Sequence, residues 1–436
     1  CAGGAESSSD ATATATTTGS ATIWSTTTST GDGSDDYACS GGGGTVGFNL
    51  HEFALREVNT AAKPPRWRLE NGECDSDRVV AVDIDADGFF YIAGWRAQVN
   101  GDCYDTCPLT ATWVRRVSPS ATDTALWVAD FPSEIVIEGI VASPDSGAVV
   151  VGVRRDEAAT AGYDGAPWIA ALDPEGALRW EETLAGSGAL RAVDRAPEGG
   201  VVAVGDVAVG DGASDLFVAR FADDGTELWS ATHDVAPYEA WLGVAVDELG
   251  RAWIAGVGDA EPVADEFRQG AMEWEYGGAF RLNSWAFSEA STARVALLDD
   301  AGQLLWEHVP PEGPEAEKFP YAWAAAIDLL PGGDAVVGGA SDRSHDWAAR
   351  YDSTGAIVWR SAFGGDGVTA LRIDDAGAIY VINTGSQRMT KLDELGEKIW
   401  SQSWLDSDVF ALDPAGLPVA VDYTEDGHFF PKYLPF

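Results

Sequence analysis

The stretch Leu172-Asp-Pro-Glu-Gly176-Ala-Leu-Arg-Trp180 decides the fold, because it returns along the chain with the same spacing. Each copy has an apolar or aromatic residue, a polar turn that ends in glycine, and a tryptophan four residues after that glycine. Further copies are Phe221–Trp229, Leu298–Trp306, Tyr351–Trp359 and Leu392–Trp400, and Val117–Trp127 is a copy without the glycine. Self-similarity at a period of tens of residues predicts an array of equal supersecondary units.

A second phrase completes each unit. It consists of two short apolar runs on either side of a turn that usually reads Asp-x-x-Gly, which predicts an antiparallel hairpin. Its copies are Val80–Gly94, Ile140–Val151, Val193–Val204, Val244–Gly256, Ile327–Gly338, Leu371–Val381 and Phe410–Val421. Two hairpins per unit give a four-stranded blade, with strands a to d from the centre outwards, and radial repetition of blades gives a β-propeller.

The two chain ends supply the remaining strands. Phe53–Leu69 looks like a diverged c–d pair, which would complete the blade whose a–b pair is Val409–Tyr423. Sharing one blade between the termini closes the ring and removes open sheet edges. We therefore predict an all-β fold, a single propeller of seven four-stranded blades closed by strand exchange. Eight blades remain an alternative if His428–Phe436 adds strands.

The tryptophan phrase resembles the tryptophan-docking motif of pyrroloquinoline-quinone-type propellers. The string Asp215–Gly256 is also similar to the secreted SBBP-type repeat. In the docking motif the tryptophan stacks between neighbouring blades and the glycine permits the preceding turn. The resemblance covers Thr45 to the C-terminus. It implies the fold and leaves activity open, because such repeats occur in enzymes and scaffolds alike.

The chain is strongly acidic. Its 436 residues include 70 Asp and Glu against 27 Lys and Arg, a formal net charge of -43. Such a surface repels phosphate backbones, so we expect no nucleic-acid partner. It would attract cations or basic surfaces, and the alternative reading is solubility in a salty medium.

Residues 1–44 are rich in Ser, Thr, Gly and Asp, and we predict a flexible tether before a propeller domain at 45–436. Cys1 followed by Ala-Gly-Gly resembles a processed bacterial lipoprotein. That resemblance implies a lipid on Cys1, attachment to a membrane by the lipid chains, and export to the outer membrane. A numbering or cloning artefact is the alternative.

Four further cysteines are present, an even number that predicts disulfides in an exported chain. Cys103 and Cys107 could close a small loop, which leaves Cys39 with Cys74. Metal binding is the rival interpretation, although no His lies near these residues in sequence.

The connections between strands b and c and between strands d and a are unequal in length, and we expect them to form the binding face. The b–c connection at about 258–293 is an insertion rich in aromatic residues. Aromatic platforms with carboxylates suit sugars or cationic groups, and the alternative is a structural plug. The candidate residues of this face are Tyr104, Tyr163, Tyr238, Trp241, Trp274, Tyr276, Trp285, Tyr321 and Trp323.

Asp83, Asp85 and Asp87 have the spacing with which a calcium loop begins, but the glutamate expected at position twelve is Gly94. Calcium is therefore a weak candidate, and we otherwise expect no cofactor. The five histidines form no metal-type string, and no nucleophile elbow is present.

These observations favour a non-enzymatic envelope lipoprotein whose propeller recognises a protein or glycan partner through the loop-rich face. The first alternative is an envelope or outer-membrane assembly scaffold. The second is a polysaccharide-acting hydrolase or lyase, which would need facing carboxylates such as Glu273 and Glu275.

Overall fold

A computed structural model describes part of the chain, all of it within the unit Cys39–Phe436. The described ranges are 45–52, 66–70, 75–98, 109–118, 125–155, 165–209, 213–234, 239–258, 292–308, 323–340, 345–364, 367–383, 388–403 and 409–423. These residues form seven four-stranded antiparallel sheets, so the propeller and its seven blades are confirmed. The described residues contain no helix with the length and apolar character that a membrane crossing requires.

The strands follow the chain in order, and the first two belong to the last blade. They are β1 (Thr45–Glu52) and β2 (Arg66–Glu70). Blade 1 consists of β3 (Asp75–Ile84), β4 (Phe90–Gln98), β5 (Leu109–Val117) and β6 (Trp127–Phe131). Blade 2 consists of β7 (Ile135–Ala142), β8 (Ala148–Arg155), β9 (Gly165–Leu172) and β10 (Leu178–Thr183). Blade 3 consists of β11 (Gly188–Arg195), β12 (Val201–Val209), β13 (Ala213–Phe221) and β14 (Glu227–His233).

The second half of the chain repeats this order. Blade 4 consists of β15 (Ala240–Val246), β16 (Ala252–Gly258), β17 (Thr292–Leu298) and β18 (Leu304–His308). Blade 5 consists of β19 (Trp323–Leu329), β20 (Ala335–Ala340), β21 (His345–Tyr351) and β22 (Ile357–Gly364). Blade 6 consists of β23 (Val368–Ile373), β24 (Ile379–Asn383), β25 (Arg388–Leu392) and β26 (Lys398–Ser403). Blade 7 consists of β27 (Phe410–Leu412), β28 (Pro418–Tyr423), β1 and β2.

The ring is closed by blade 7, in which β1 pairs with β28 and Leu50 lies opposite Val421. The first strand of each blade contacts the first strand of the next, and β27 contacts β3 to complete the circle. The exchange between termini is therefore confirmed, with one correction. Strand c of blade 7 is Thr45–Glu52, where the sequence alternates apolar and other residues, and does not begin at Phe53. Residues 53–65 and His428–Phe436 lie outside the described residues.

The aspartate at the start of most turns holds the turn together. In blade 2, Oδ1 of Asp173 accepts hydrogen bonds from the backbone N–H of Glu175 (3.0 Å) and Ala177 (2.8 Å). A side-chain acceptor of this kind mimics a backbone turn. The same pair of bonds occurs at Asp85, Asp247, Asp299, Asp352, Asp374, Asp393 and Asp413. These aspartates of the repeat therefore stabilise the turns by capping their backbone N–H groups.

In five of the six phrases, the tryptophan docks on the next blade within the described residues. Its indole Nε1 donates a hydrogen bond to the second residue of the neighbouring c–d turn, at 2.8–3.1 Å in the five described pairs. They are Trp127 to Pro174, Trp180 to Asp223, Trp229 to Asp300, Trp306 to Ser353 and Trp359 to Glu394. The docking expectation is thus met: the repeated phrase is an inter-blade lock.

The glycine of the phrase completes this lock. Gly302 has a φ of +77°, and a Cβ there would lie 2.6 Å from Cε3 of Trp229. Side-chain-bearing residues rarely adopt that φ, and the tryptophan ring leaves no room for one. The four other pairs have the same arrangement, with Gly176, Gly225, Gly355 and Gly396. A phrase such as Leu298–Trp306 thus has two roles: its glycine receives the tryptophan of the preceding blade, and its own tryptophan docks on the next blade.

The apolar core lies between neighbouring blades. One cluster of buried side chains joins blades 1 and 2 around Trp168, and another joins blades 4 and 5 around Trp253, Trp347 and Tyr351. The other joints have clusters of their own. Each blade face is thus buried by its neighbours, and every joint is held by apolar burial as well as by the tryptophan lock.

Candidate functional site

The strand order assigns the connections to two faces. Because neighbouring strands are antiparallel, the a–b and c–d turns lie at one end of every sheet and the b–c and d–a connections at the other. We call the second set the loop face. Most of the predicted partner residues belong to its connections, and seven of them lie outside the described residues: Tyr104, Tyr163, Tyr238, Trp274, Tyr276, Trp285 and Tyr321.

The two remaining candidates, Trp241 and Trp323, are buried. Trp241 lies in β15 and is 1% exposed, and Trp323 begins β19 and is 3% exposed. A Cβ at Gly256 would lie 2.8 Å from the Trp241 ring, and Gly367 approaches the Trp323 ring as closely. The expected exposed position is therefore corrected for both residues. Both tryptophans belong to the innermost strand of their blade, since β15 begins one residue before Trp241 and β19 begins at Trp323. Their side chains are therefore packed inside the propeller.

The insertion starts and ends at two paired strand ends, which we call its neck. Gly258 ends β16 and lies opposite Thr292, which begins β17, so the insertion comprises 259–291. The Thr292 hydroxyl donates to the Gly258 carbonyl oxygen at 3.1 Å. Close by in sequence, the buried Arg294 forms a 2.7 Å ion pair with Glu307. The insertion thus leaves and re-enters the loop face at one point, as an addition to an ordinary hairpin connection.

Three carboxylates line the inner wall of the ring at one level. Asp83, Asp194 and Asp328 each precede the first residue of an a–b turn by two positions, on β3, β11 and β19. They are enclosed by protein yet keep some accessible surface, because the innermost strands border the central channel. Arg372 occupies the same position on β23. The corresponding positions of the other blades hold Val141, Ala245 and Ala411.

Each of the three carboxylates bridges two blades. Oδ2 of Asp83 accepts the backbone N–H of Ala142 at 2.7 Å. The equivalent bonds join Asp194 to Val246 (2.7 Å) and Asp328 to Ile373 (2.8 Å). Two of the second oxygens accept the backbone N–H of the following residue, as Asp194 does from Arg195 at 2.7 Å and Asp328 from Leu329 at 2.8 Å.

The enclosure of these groups changes their acidity. Burial raises the pKa of Asp83 and Asp328, and a partial opposing effect comes from hydrogen bonds and from the Arg372 guanidinium. Burial raises the pKa of Asp194 to about 6, and the charges of Asp328 and Asp83 act in the same direction. The three carboxylates therefore interact electrostatically across the channel.

The calcium candidates do not converge on one point. Oδ2 of Asp83 is bonded to blade 2, whereas Oδ1 of Asp85 caps its own turn by accepting the N–H of Asp87 and Phe89. The Tyr91 hydroxyl donates to the other Asp85 oxygen at 3.2 Å, and Arg116 lies 3.5 Å from it. Within the described ranges, no group of three His, Cys, Asp or Glu side chains is arranged to hold a metal ion. The five cysteines lie outside those ranges.

Asp194 and Asp328 were not among the predicted site residues, and Asp83 was predicted as a calcium candidate and not as a bridge between blades. In sequence each stands inside an apolar run and reads as part of the neighbouring acidic turn. A signal was available, because aligning the copies on the first residue of the turn places Asp at the same position in blades 1, 3 and 5.

Comparison with known proteins supports the repeat and the fold. Residues 291–427 match the PQQ_2 family model, described as outer membrane protein assembly factor BamB. The chain therefore carries PQQ-type repeats of the BamB kind in this region. Among curated proteins no match is found.

Solved structures align with the chain at low identity. The Dos1 propeller aligns with 82% of this chain and 94% of its own, with a TM-score of 0.50 and 9% identity. Virginiamycin B lyase from Staphylococcus aureus aligns with 80% of this chain and 98% of its own, with a TM-score of 0.46 and 9% identity. A protein of unknown function from Bacteroides caccae aligns with 58% of this chain and 75% of its own, at 14% identity and a TM-score of 0.36. At such identities the likeness to the Dos1 propeller indicates the fold alone.

Proposed function

We propose that this protein is a non-enzymatic β-propeller that binds a protein or glycan partner at the cell envelope through its loop face. The observation that carries the proposal is the insertion 259–291, which departs furthest from the repeat and grows from a single paired neck. Long connections in compact domains are commonly functional. The insertion includes six aromatic residues, Phe267, Trp274, Tyr276, Phe280, Trp285 and Phe287.

The residues that recur among the repeats support the proposal, because they hold the scaffold together. The phrase tryptophans and glycines join blades, the turn aspartates cap turns, and the channel carboxylates bond to backbone N–H groups of the next blade. These side chains are thereby committed to the scaffold. Binding is then expected where the blades differ.

The test replaces 259–291 with Asn-Gly. Gly258 and Thr292 lie opposite each other, and a two-residue Asn-Gly loop is the preferred connection between such a pair. We expect an unchanged unfolding midpoint and loss of binding, measured on a glycan array and by cross-linking to solubilised envelope proteins of the producing cell. The matched control is Leu249→Ser, on the opposite face and 70% exposed, which should bind normally. Retention of every bound partner after the replacement would refute the proposal.

The second candidate function is a scaffold for outer-membrane protein assembly. The match of 291–427 to a family model with that description favours it. This function predicts stable co-purification of the full chain with integral outer-membrane proteins, and capture of a glycan alone would count against it.

The envelope location is part of the proposal and rests on the resemblance of Cys1 and its neighbours to a processed lipoprotein. We expect labelled fatty acid to be incorporated into the wild-type protein in cells and not into a Cys1→Ser variant. Equal labelling of the two, or none of either, would remove the lipid anchor from the account.

A further inference from the structure

The three channel carboxylates occur at alternate joints of the ring. Asp83 joins blades 1 and 2, Asp194 joins blades 3 and 4, and Asp328 joins blades 5 and 6. They share one register position on the innermost strands, so all three face the same stretch of the channel. Each of the three carboxylates therefore makes a hydrogen bond between two blades, and all three lie close to the same enclosed part of the channel.

The same three joints have a second polar fastening at the outer strands. There an arginine of strand c donates to the turn carbonyl that also accepts the docked tryptophan. The pairs are Arg116 to Pro174 (3.5 Å), Arg220 to Asp300 (3.3 Å) and Arg350 to Glu394 (3.3 Å). Blades 1–2, 3–4 and 5–6 are therefore tied near the axis and again near the rim. A change at the carboxylate alters the tie near the axis and leaves those of the arginine and the tryptophan near the rim.

We propose that Asp83, Asp194 and Asp328 act together as a pH-responsive fastening of the ring, which holds these blade pairs more tightly in acidic than in neutral surroundings and loosens as the carboxylates become charged across the channel. This device is independent of what the loop face binds. The charged groups that act on the three are Arg372, Arg195 and Asp85. Arg372 acts on Asp83 and Asp328, whereas Arg195 lies beside Asp194.

The sign follows from the raised pKa values. Because the folded state holds these protons more tightly than the unfolded chain does, its stability falls as the pH rises. For Asp194 the contribution is complete below the ordinary value of 3.8 and is lost as the pH rises through about 6. A difference of about two pKa units corresponds to a roughly 100-fold change in the ratio of folded to unfolded protein.

The experiment compares urea unfolding of the wild type and Asp194→Asn between pH 4 and pH 8. About 1 M salt reduces the Debye length to roughly 3 Å and so suppresses the repulsion between exposed acids, which would otherwise give a trend of the same sign. The matched control is Asp375→Asn, an exposed carboxylate on an a–b turn. We expect the wild type and the control to lose stability with rising pH, and Asp194→Asn to lose roughly 100-fold less in the folded ratio. Parallel profiles of wild type and Asp194→Asn would overturn the proposal.

A second measurement covers the case in which Asp194→Asn does not fold. In the wild type, hydrogen exchange of peptides that contain Val246 or Ile373 should show protection factors that fall from pH 5 to pH 7.5. Peptides that contain Val150 in β8 should keep theirs, after correction for the intrinsic exchange rate. Equal pH dependence in all of these peptides would contradict a fastening at these joints.

Discussion

A chain that begins at Asp75 is expected to lose cooperative folding, because it lacks both N-terminal strands of blade 7. Without β1, the edge of β28 is unpaired, and blade 7 keeps only β27 and β28. The total stability of a folded domain is about 5–15 kcal/mol, and loss of half a blade at the point of closure removes a large part of that. We expect a broad transition and early aggregation in thermal unfolding followed by circular dichroism.

The matched control for this truncation is a chain that begins at Cys39. It lacks most of the Ser- and Thr-rich segment but keeps β1, β2 and the cysteine proposed to pair with Cys74. Its unfolding midpoint should equal that of the full chain. A chain from Asp75 that unfolds as sharply and at the same temperature as this control would show that the ring does not depend on the exchanged strands.

The variant Gly302→Ala is expected to destabilise the protein strongly through the tryptophan lock. The left-handed φ of +77° costs an alanine about 1–2 kcal/mol. The added Cβ, 2.6 Å from Trp229, adds about 1–3 kcal/mol of overpacking or forces the ring off its turn. Urea unfolding monitored by tryptophan fluorescence measures the sum.

Gly250→Ala separates the two effects, because it lies in the same blade with almost the same φ, +75°, and its nearest neighbouring atom is 3.5 Å from the added Cβ. The free energy of unfolding of Gly250→Ala should fall only by the about 1–2 kcal/mol that the left-handed φ costs an alanine. If the two variants are equally stable, the contact between glycine and tryptophan does not fasten the blades and the phrase needs another explanation.

Much of the fold could be predicted because its determinants are local. A nine-residue phrase contains a capped turn with a glycine of positive φ, which receives the tryptophan of the preceding blade, and a tryptophan that docks on the next blade. A joint between blades thus leaves its trace in two copies of one phrase. The exchanged strand was harder to place. Its partner β28 lies at the far end of the chain, and nothing next to Thr45–Glu52 specifies that register.

The candidate site was predicted less well, for reasons that differ between residues. Trp241 and Trp323 stand next to d–a connections, and sequence does not show that the innermost strand already includes them. The role of the channel carboxylates was missed because it depends on contacts between blades that are distant in sequence. Asp194 and Asp328 look like ordinary turn acids until the ring brings alternate blades to face the same channel.

The structure assigns roles to part of the chain's many acidic residues. Part of it caps turns, as Asp173 does, and a smaller part bridges blades at the channel. The insertion 259–291 adds carboxylates beside its aromatic residues, as in Glu273-Trp274-Glu275-Tyr276. A basic or sugar-bearing partner would fit that composition, and the replacement of 259–291 examines it directly.

The central claim is that the two ends of the chain share one blade and thereby close a seven-bladed ring. Hydrogen exchange of β28 in the full chain tests it most directly, because β28 lies between β27 and β1 and has no free edge. We predict that peptides covering Pro418–Tyr423 exchange as slowly as those of β8, the equivalent strand of blade 2. Exchange of β28 as fast as that of the outermost strand β10 would contradict closure by the N-terminal strands.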